Sequence, residues 1–245
     1  MSIDLHWTFY ILLALASFIY SSVGHGGASA YLALLALFGA DMLIMKPIAL
    51  TLNLFVAGTS FIIFQRSGYF SWNRCYPFLI TSVPAAFIGG YYSLDSDIYK
   101  VILGLFMFFS VIRLMGWVGK ERNEKKDASI ILSLLIGAVI GLISGMLGIG
   151  GGIILSPLIL MLAWANMKET AAISSIFILI NSFAGLLGYL TAGSTLPSHL
   201  LFLIPLVLTG AWFGAKMGSL KLSNKRLEKL LAAVLFTAGV KLVFL

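Results

Sequence analysis

The chain has 245 residues, of which 60% are hydrophobic and only 10% are charged, and its mean hydropathy is +1.03. Since a soluble domain carries about 25% charged residues, this composition excludes an ordinary soluble protein and indicates a polytopic membrane protein. The net charge of +7 does not point to a nucleic-acid partner, because Lys and Arg collect in the cytoplasmic loops of membrane proteins.

Ten apolar segments follow one another along the chain. The first five span about 7–23, 28–39, 45–65, 75–93 and 98–118, and the second five span about 128–147, 152–165, 170–192, 198–219 and 227–245. A charged linker, 120–127, separates the two sets. The pattern predicts an all-α integral membrane protein with a first transmembrane repeat at 1–119 and a second at 128–245.

A glycine-rich stretch interrupts the apolar sequence once in each half. The second half has Gly148, Gly150 and Gly151, and the first half has Gly24, Gly26 and Gly27 at the same spacing, 124 residues earlier. Glycine lets the backbone bend and approach a ligand closely. In lipid, non-helical backbone persists only where it is buried in protein or lines a cavity. The duplicated break predicts a binding site, and the alternative is that these glycines only allow close helix packing.

Other matches between the halves, and the distribution of charge, predict how the repeats are related. A shift of 122 residues aligns 49–53 with 171–175 and Ser60 with Ser182. One set of loops carries 13 of the 16 Lys and Arg residues, which predicts that this side is cytoplasmic and both chain ends lie outside. The repeats are then inverted, as in many transporters. His199 is expected at the membrane interface.

The glycine-rich segments are too short for simple spans. The 28–39 segment has 12 residues, about 18 Å of helix against a hydrocarbon core of about 30 Å. We therefore predict that 7–39 and 128–165 form broken or re-entrant hairpins with glycine tips near the bilayer centre, each followed by three transmembrane helices. Full crossings give the same loop topology and stay open as the alternative.

A small anion is the ligand that these breaks suit. The helices after the breaks begin near Ala28 and near Gly152, and the first N–H groups of a helix attract an anion without a charged side chain. The predicted substrate-binding residues are Gly24, His25, Gly26, Gly27, Ser29, Asn53, Ser60, Gly148, Gly150, Gly151, Gly152, Ser174, Ser175, Asn181 and Ser182.

Polar side chains within the predicted spans support this ligand. Asn53 and Ser60 are seven residues apart and share a helix face, and Ser175 and Ser182 repeat the arrangement. Hydrogen bonding between helices is the alternative role. His25 is predicted to donate to the anion or to carry a coupling proton, and the alternative is a bond to the backbone.

Enzyme signatures are missing from the sequence. It has no HExxH motif, no Walker loop and no paired carboxylates within the spans. Its single cysteine excludes an internal disulfide and a cysteine-based metal cluster. We therefore expect no enzymatic activity, no cofactor and no metal. The expected partners are a small anion and the lipid bilayer, and a coupling proton or sodium ion and a homodimer are left open.

Two motifs resemble those of a known family. The stretch 144–152 with Pro157 resembles the second glycine motif of the TauE/SafE sulfite exporter family, and 23–28 resembles the first. The stretch 46–54 resembles the segment that follows, with Leu52-Asn53 where the family has Thr-Ser.

The resemblance covers the whole chain and implies a function. It implies a secondary transporter that moves sulfite, a sulfonate or another sulfur-containing organic anion across a bacterial inner membrane. Alternating access would move one repeat against the other around the glycine tips. The alternative from another class is a non-transporting scaffold subunit of a membrane enzyme complex.

Overall fold

A computed structural model of the chain describes residues 7–92, 94–117, 125–197, 200–220 and 225–244. Most of the predicted linker at 120–127, and His199, lie outside these residues. Within the described ranges, the regular secondary structure is entirely α-helical.

The described residues form ten helices, which occupy the ten apolar segments. They are α1 (Trp7–Ser22), α2 (Ala28–Leu37), α3 (Met42–Arg66), α4 (Trp72–Tyr91), α5 (Ser96–Leu114), α6 (Ile130–Leu147), α7 (Gly152–Met161), α8 (Met167–Thr191), α9 (Leu200–Leu220) and α10 (Lys225–Phe244). Every end lies within four residues of the predicted one. The prediction of an all-α chain is confirmed.

The helices begin in two different ways. Where a loop precedes the helix, a side chain often caps it: Asp41 accepts a hydrogen bond from the N–H of Leu43, and Asn166 forms a capping box with Glu169. By contrast, the residues at the N-caps of α2 and α7 are Gly27 and Gly151, which have left-handed backbone and provide no side-chain cap. The first N–H groups of these two helices are therefore not satisfied by capping side chains.

Helix length also separates α2 and α7 from the others. Among the described residues, four helices are long and apolar enough to cross a membrane, namely Leu43–Arg66, Ile130–Leu147, Met167–Thr191 and Leu200–Leu220. The helices α2 and α7 have 10 residues each, about 15 Å, which is half of a hydrocarbon core of about 30 Å. Most residues of both are buried, as expected for short helices that are apolar on all sides.

The main helix contacts join the two predicted halves. Helix α4 packs on α6 and α8, and its counterpart in the second half, α9, packs on α1 and α3. Likewise α3 packs on α8 and α5 packs on α10. Each of these four kinds of contact is retained when the two halves are exchanged, and the halves interleave instead of forming two separate bodies.

Two rows of glycine allow the closest of these contacts. Residues Gly137, Gly141 and Gly145 of α6 lie against the carbonyl oxygens of Phe78, Ser82 and Ala86 in α4. In the equivalent contact, Gly210, Gly214 and Gly218 of α9 lie against the carbonyl oxygens of Ala14, Phe18 and Ser22 in α1. A Cβ at any of these glycines would overlap backbone, so the packing depends on small residues spaced four apart.

Candidate substrate-binding site

Both breaks have backbone that requires glycine. The φ angle is +74° at Gly24 and +90° at Gly27 in the first break, and +78° at Gly148, +72° at Gly150 and +79° at Gly151 in the second. Side chains of L-residues are disfavoured at such angles. The glycine pattern that marks the two breaks in the sequence is therefore a backbone requirement in both.

The two breaks meet on the same side chains. A Cβ at Gly26 would overlap Asn53 and lie 2.9 Å from Cγ2 of Ile178. A Cβ at Gly150 would lie 2.6 Å from Nδ2 of Asn53, 2.8 Å from Cγ2 of Ile178 and 3.0 Å from Oγ of Ser182. We call these five residues the glycine junction. They bring together α3, α8 and both breaks, although the breaks are 124 residues apart in sequence.

Asn53 is the polar centre of the glycine junction. Its side chain is fully buried, and its Nδ2 donates to Oγ of Ser182 over 3.3 Å. Its Oδ1 is buried without a hydrogen-bond partner among the described residues. Because a buried polar atom without a partner is unfavourable by about 1–3 kcal/mol, this amide is poised to form a further hydrogen bond. The side chains of Asn53 and Ile178 lie between the breaks, so the junction is filled in this conformation.

His25 forms a second polar cluster beside the junction. Its Nδ1 lies 3.0 Å from the carbonyl oxygen of Val23, and its Nε2 lies 3.2 Å from Oγ of Ser156. The carbonyl can only accept, so Nδ1 carries the proton and Nε2 of the neutral ring accepts from Ser156. Ser156 is also 2.7 Å from Oγ of Ser174. His25 therefore bonds to the backbone and also connects the first break to α7 and α8.

Several other predicted site residues form their hydrogen bonds elsewhere. Within their own helices, Ser60 donates to the carbonyl of Val56, Ser175 to that of Ala172 and Asn181 to that of Phe177. Ser29 pairs with the hydroxyl of Tyr20 at 2.6 Å. These side chains are not part of the glycine junction in this conformation.

The remaining predicted glycines are also closely packed by other residues. A Cβ would overlap Ala171 at Gly24, Tyr31 at Gly27, Ile140 and Phe177 at Gly151, and Ile178 at Gly152, and it would lie 3.1 Å from Lys46 at Gly148. Close packing, the alternative role for these glycines, therefore occurs in both breaks, and it accompanies their left-handed backbone.

Three residues of this region were not among the predicted site residues. Ile178 and Ser156 carry no distinguishing sequence signal. Lys46 carries such a signal, because it is a charged residue at the start of the predicted apolar segment 45–65. The charge distribution, however, assigned it to the outer side of the membrane and not to the site. It is 7% exposed, and its Nζ donates to the carbonyl oxygens of Gly90 at 3.0 Å and of Gly89 and Tyr92 at 3.3 Å. Lys46 thus satisfies the carbonyl end of α4, where a cation is favourable.

Comparison with known proteins identifies related chains. Residues 9–242 match the family model described as "Sulfite exporter TauE/SafE". The chain is 35% identical over 246 residues, covering 95% of it and 97% of the relative, to the "Probable membrane transporter protein y4hK" of Sinorhizobium fredii (strain NBRC 101917 / NGR234). It is 27% identical over 190 residues, 68% of each chain, to the "Probable membrane transporter protein YunE" of Bacillus subtilis (strain 168). No solved structure gives a significant match.

Proposed function

The chain belongs to the sulfite exporter TauE/SafE family, and from this membership we propose that it is a permease for a small sulfur-containing anion, such as sulfite or a sulfonate. The relatives are named as membrane transporters, and the chain itself is a multi-pass membrane protein. The charge distribution supports a bacterial inner-membrane orientation with both ends in the periplasm.

The observation that carries this proposal is the glycine junction. Two uncapped helix starts, at Gly27 and Gly151, follow breaks that meet on one buried amide. Such helix starts bind anions through N–H groups and the helix dipole. Neutral donors suit a transported anion, because buried cationic side chains are unfavourable at membrane depth and an anion that binds too tightly would not be released.

The way the halves are interleaved supports transport by alternating access. The two-fold pattern of helix contacts supports inverted repeats, and inverted repeats move against each other around a central site. Since Asn53 and Ile178 fill the junction, the conformation described is closed at that point. Movement of α3 relative to α8, which carry these two side chains, would open the space between the breaks to one side or the other.

A proton is the coupling ion that we propose for this site. His25 lies within the first break and is hydrogen-bonded through Ser156 to Ser174, so a change in its protonation would alter the contact between the first break and both α7 and α8.

Transport by the purified protein tests the proposal. We expect proteoliposomes that contain the full chain to accumulate [³⁵S]sulfite, and we expect Gly150→Leu and Gly26→Leu to abolish accumulation because the new side chains overlap Asn53. Gly58→Ala is the matched control, since its Cβ would be in ordinary contact, 3.7 Å from Leu179. Lack of flux with the wild type would favour a scaffold subunit instead, and full activity of both leucine variants would reject the glycine junction as the site.

A further inference from the structure

A cavity of about 100 Å³ lies at the end of the bundle where α1, α3, α5 and α9 end and α8 begins. We call this the basic end, because the loops predicted to be cytoplasmic are there. The cavity is lined in part by Ser22, Phe64, Arg113, Ser156, Lys168 and Thr170. One water occupies about 30 Å³ of liquid volume, so the cavity has room for a small oxyanion.

Basic side chains line this cavity. They are Arg113 and Lys168, and none of the described lining residues is acidic. Nζ of Lys168 donates to the hydroxyl of Tyr69 at 3.1 Å and to the carbonyl of Ser219 at 2.9 Å, and no carboxylate in the described ranges pairs with it. The neighbouring Glu169 pairs instead with Arg74 at 3.2 Å and Lys125 at 2.9 Å. A cation at a cavity wall without a paired carboxylate favours binding of an anion.

Hydroxyl groups in the cavity provide hydrogen-bond donors. Thr170 is 2% exposed, and its Oγ1 is buried without a hydrogen-bond partner among the described residues. Such a hydroxyl is unfavourable unless a ligand or water pairs with it. Ser156 lines the same cavity and bonds to His25, so the cavity extends to the cluster beside the glycine junction.

We propose that this cavity is an anion-binding site separate from the glycine junction, in which Arg113, Lys168 and Thr170 hold a small oxyanion such as sulfite or sulfate. A cationic guanidinium, an ammonium and hydroxyl donors match the several acceptor oxygens of such an ion. The passage of the anion from this site to the junction rests on the proposed function, whereas binding at the cavity does not.

Equilibrium binding of [³⁵S]sulfite to the purified full chain in detergent tests this site. We expect Arg113→Gln and Lys168→Gln each to weaken binding about tenfold, because each removes a charge-assisted interaction. Lys168→Arg retains the charge and should bind within about threefold of wild type. Arg66→Gln and Lys216→Gln remove exposed cations at the same end and should leave the affinity within about twofold, since exposed charges contribute little.

The Thr170→Val variant provides a second test of the cavity site, which can be used even if Lys168→Gln does not fold. This change removes the unpaired hydroxyl and leaves the contacts of Lys168 intact, and we expect about fivefold weaker binding. Wild-type affinity in folded, monodisperse Arg113→Gln and Thr170→Val would overturn the cavity site. So would the absence of sulfite and sulfate binding to the wild type at millimolar concentration.

Transport by the same preparations separates the two proposals. Sulfite binding that depends on Arg113, together with no flux in proteoliposomes, would refute the permease function and support the cavity site. Sulfite flux, together with sulfite binding that is unaffected by substitution of Arg113 and Thr170, would support the permease function and refute the cavity site. We expect Asn53→Ala to slow flux while sulfite binding at the cavity stays within about twofold of wild type, since Asn53 does not line it.

Discussion

The first and second glycine breaks share a backbone plan but differ in chemistry. Both contain left-handed glycines and lead into an uncapped ten-residue helix. The first break has His25, which bonds to Ser156, where the second has Ile149, which packs in the apolar core. Backbone geometry is thus repeated in both halves, while the ionisable side chain is present in the first break alone.

Substitution of the junction glycines by alanine tests the shared backbone plan and should have the largest effect. Both Gly26→Ala and Gly150→Ala introduce overlap with Asn53 or contact closer than van der Waals distance, so we expect flux to fall at least about tenfold in each. Gly150 also has a positive φ, and alanine there should destabilise the protein by about 1 kcal/mol more than at Gly26. Thermal unfolding and sulfite flux measure the two effects, with Gly58→Ala as the control. Equal stability of the two variants would show that backbone strain does not distinguish the breaks.

Substitution of Asn53, the side chain that both breaks contact, should have the next largest effect on sulfite flux. We expect Asn53→Ala to slow sulfite flux about tenfold, because it removes the amide on which Gly26 and Gly150 converge. Ser60→Ala is the matched control on the same helix, since Ser60 bonds only to the carbonyl of Val56, and it should change flux by less than about twofold. The interpretation of the junction would be contradicted if the two variants had equal activity.

Substitution of His25, by which the first break differs from the second, should change the pH dependence of sulfite flux. It should have the smallest effect on the maximal rate of flux. We expect His25→Gln to retain hydrogen bonding but to flatten the dependence of sulfite flux on pH over the acidic to neutral range. Ile149→Gln, at the matching position of the second break, should leave the pH profile unchanged in shape. Flux measured across this pH range in both variants is the test, and a wild-type profile in His25→Gln would remove the proton-carrying role.

Local sequence patterns predicted the helices and the breaks because both depend on neighbours along the chain. Apolar runs are long enough to mark each helix, and left-handed backbone selects glycine directly at Gly24 and Gly150. The family likewise follows from the motifs around these glycines, and the match over residues 9–242 confirms it.

Side-chain partners could not be predicted in the same way. The seven-residue spacing places Asn53 and Ser60 on one face, but a serine in a helix can bond to the carbonyl four residues earlier, and Ser60 does so. Ser156 and Ile178 look like ordinary residues of an apolar helix, and their place beside His25 and the breaks depends on how α7 and α8 pack.

The sequence by itself determined a helical membrane chain with two matching bends of glycine backbone, because hydrophobic length and backbone freedom are properties of each segment alone. Only the tertiary structure decided that Gly26 and Gly150 converge on Asn53 and that Arg113 and Lys168 line one cavity. These contacts join residues far apart in the chain, and the close packing of helices from the two halves determines which of them meet.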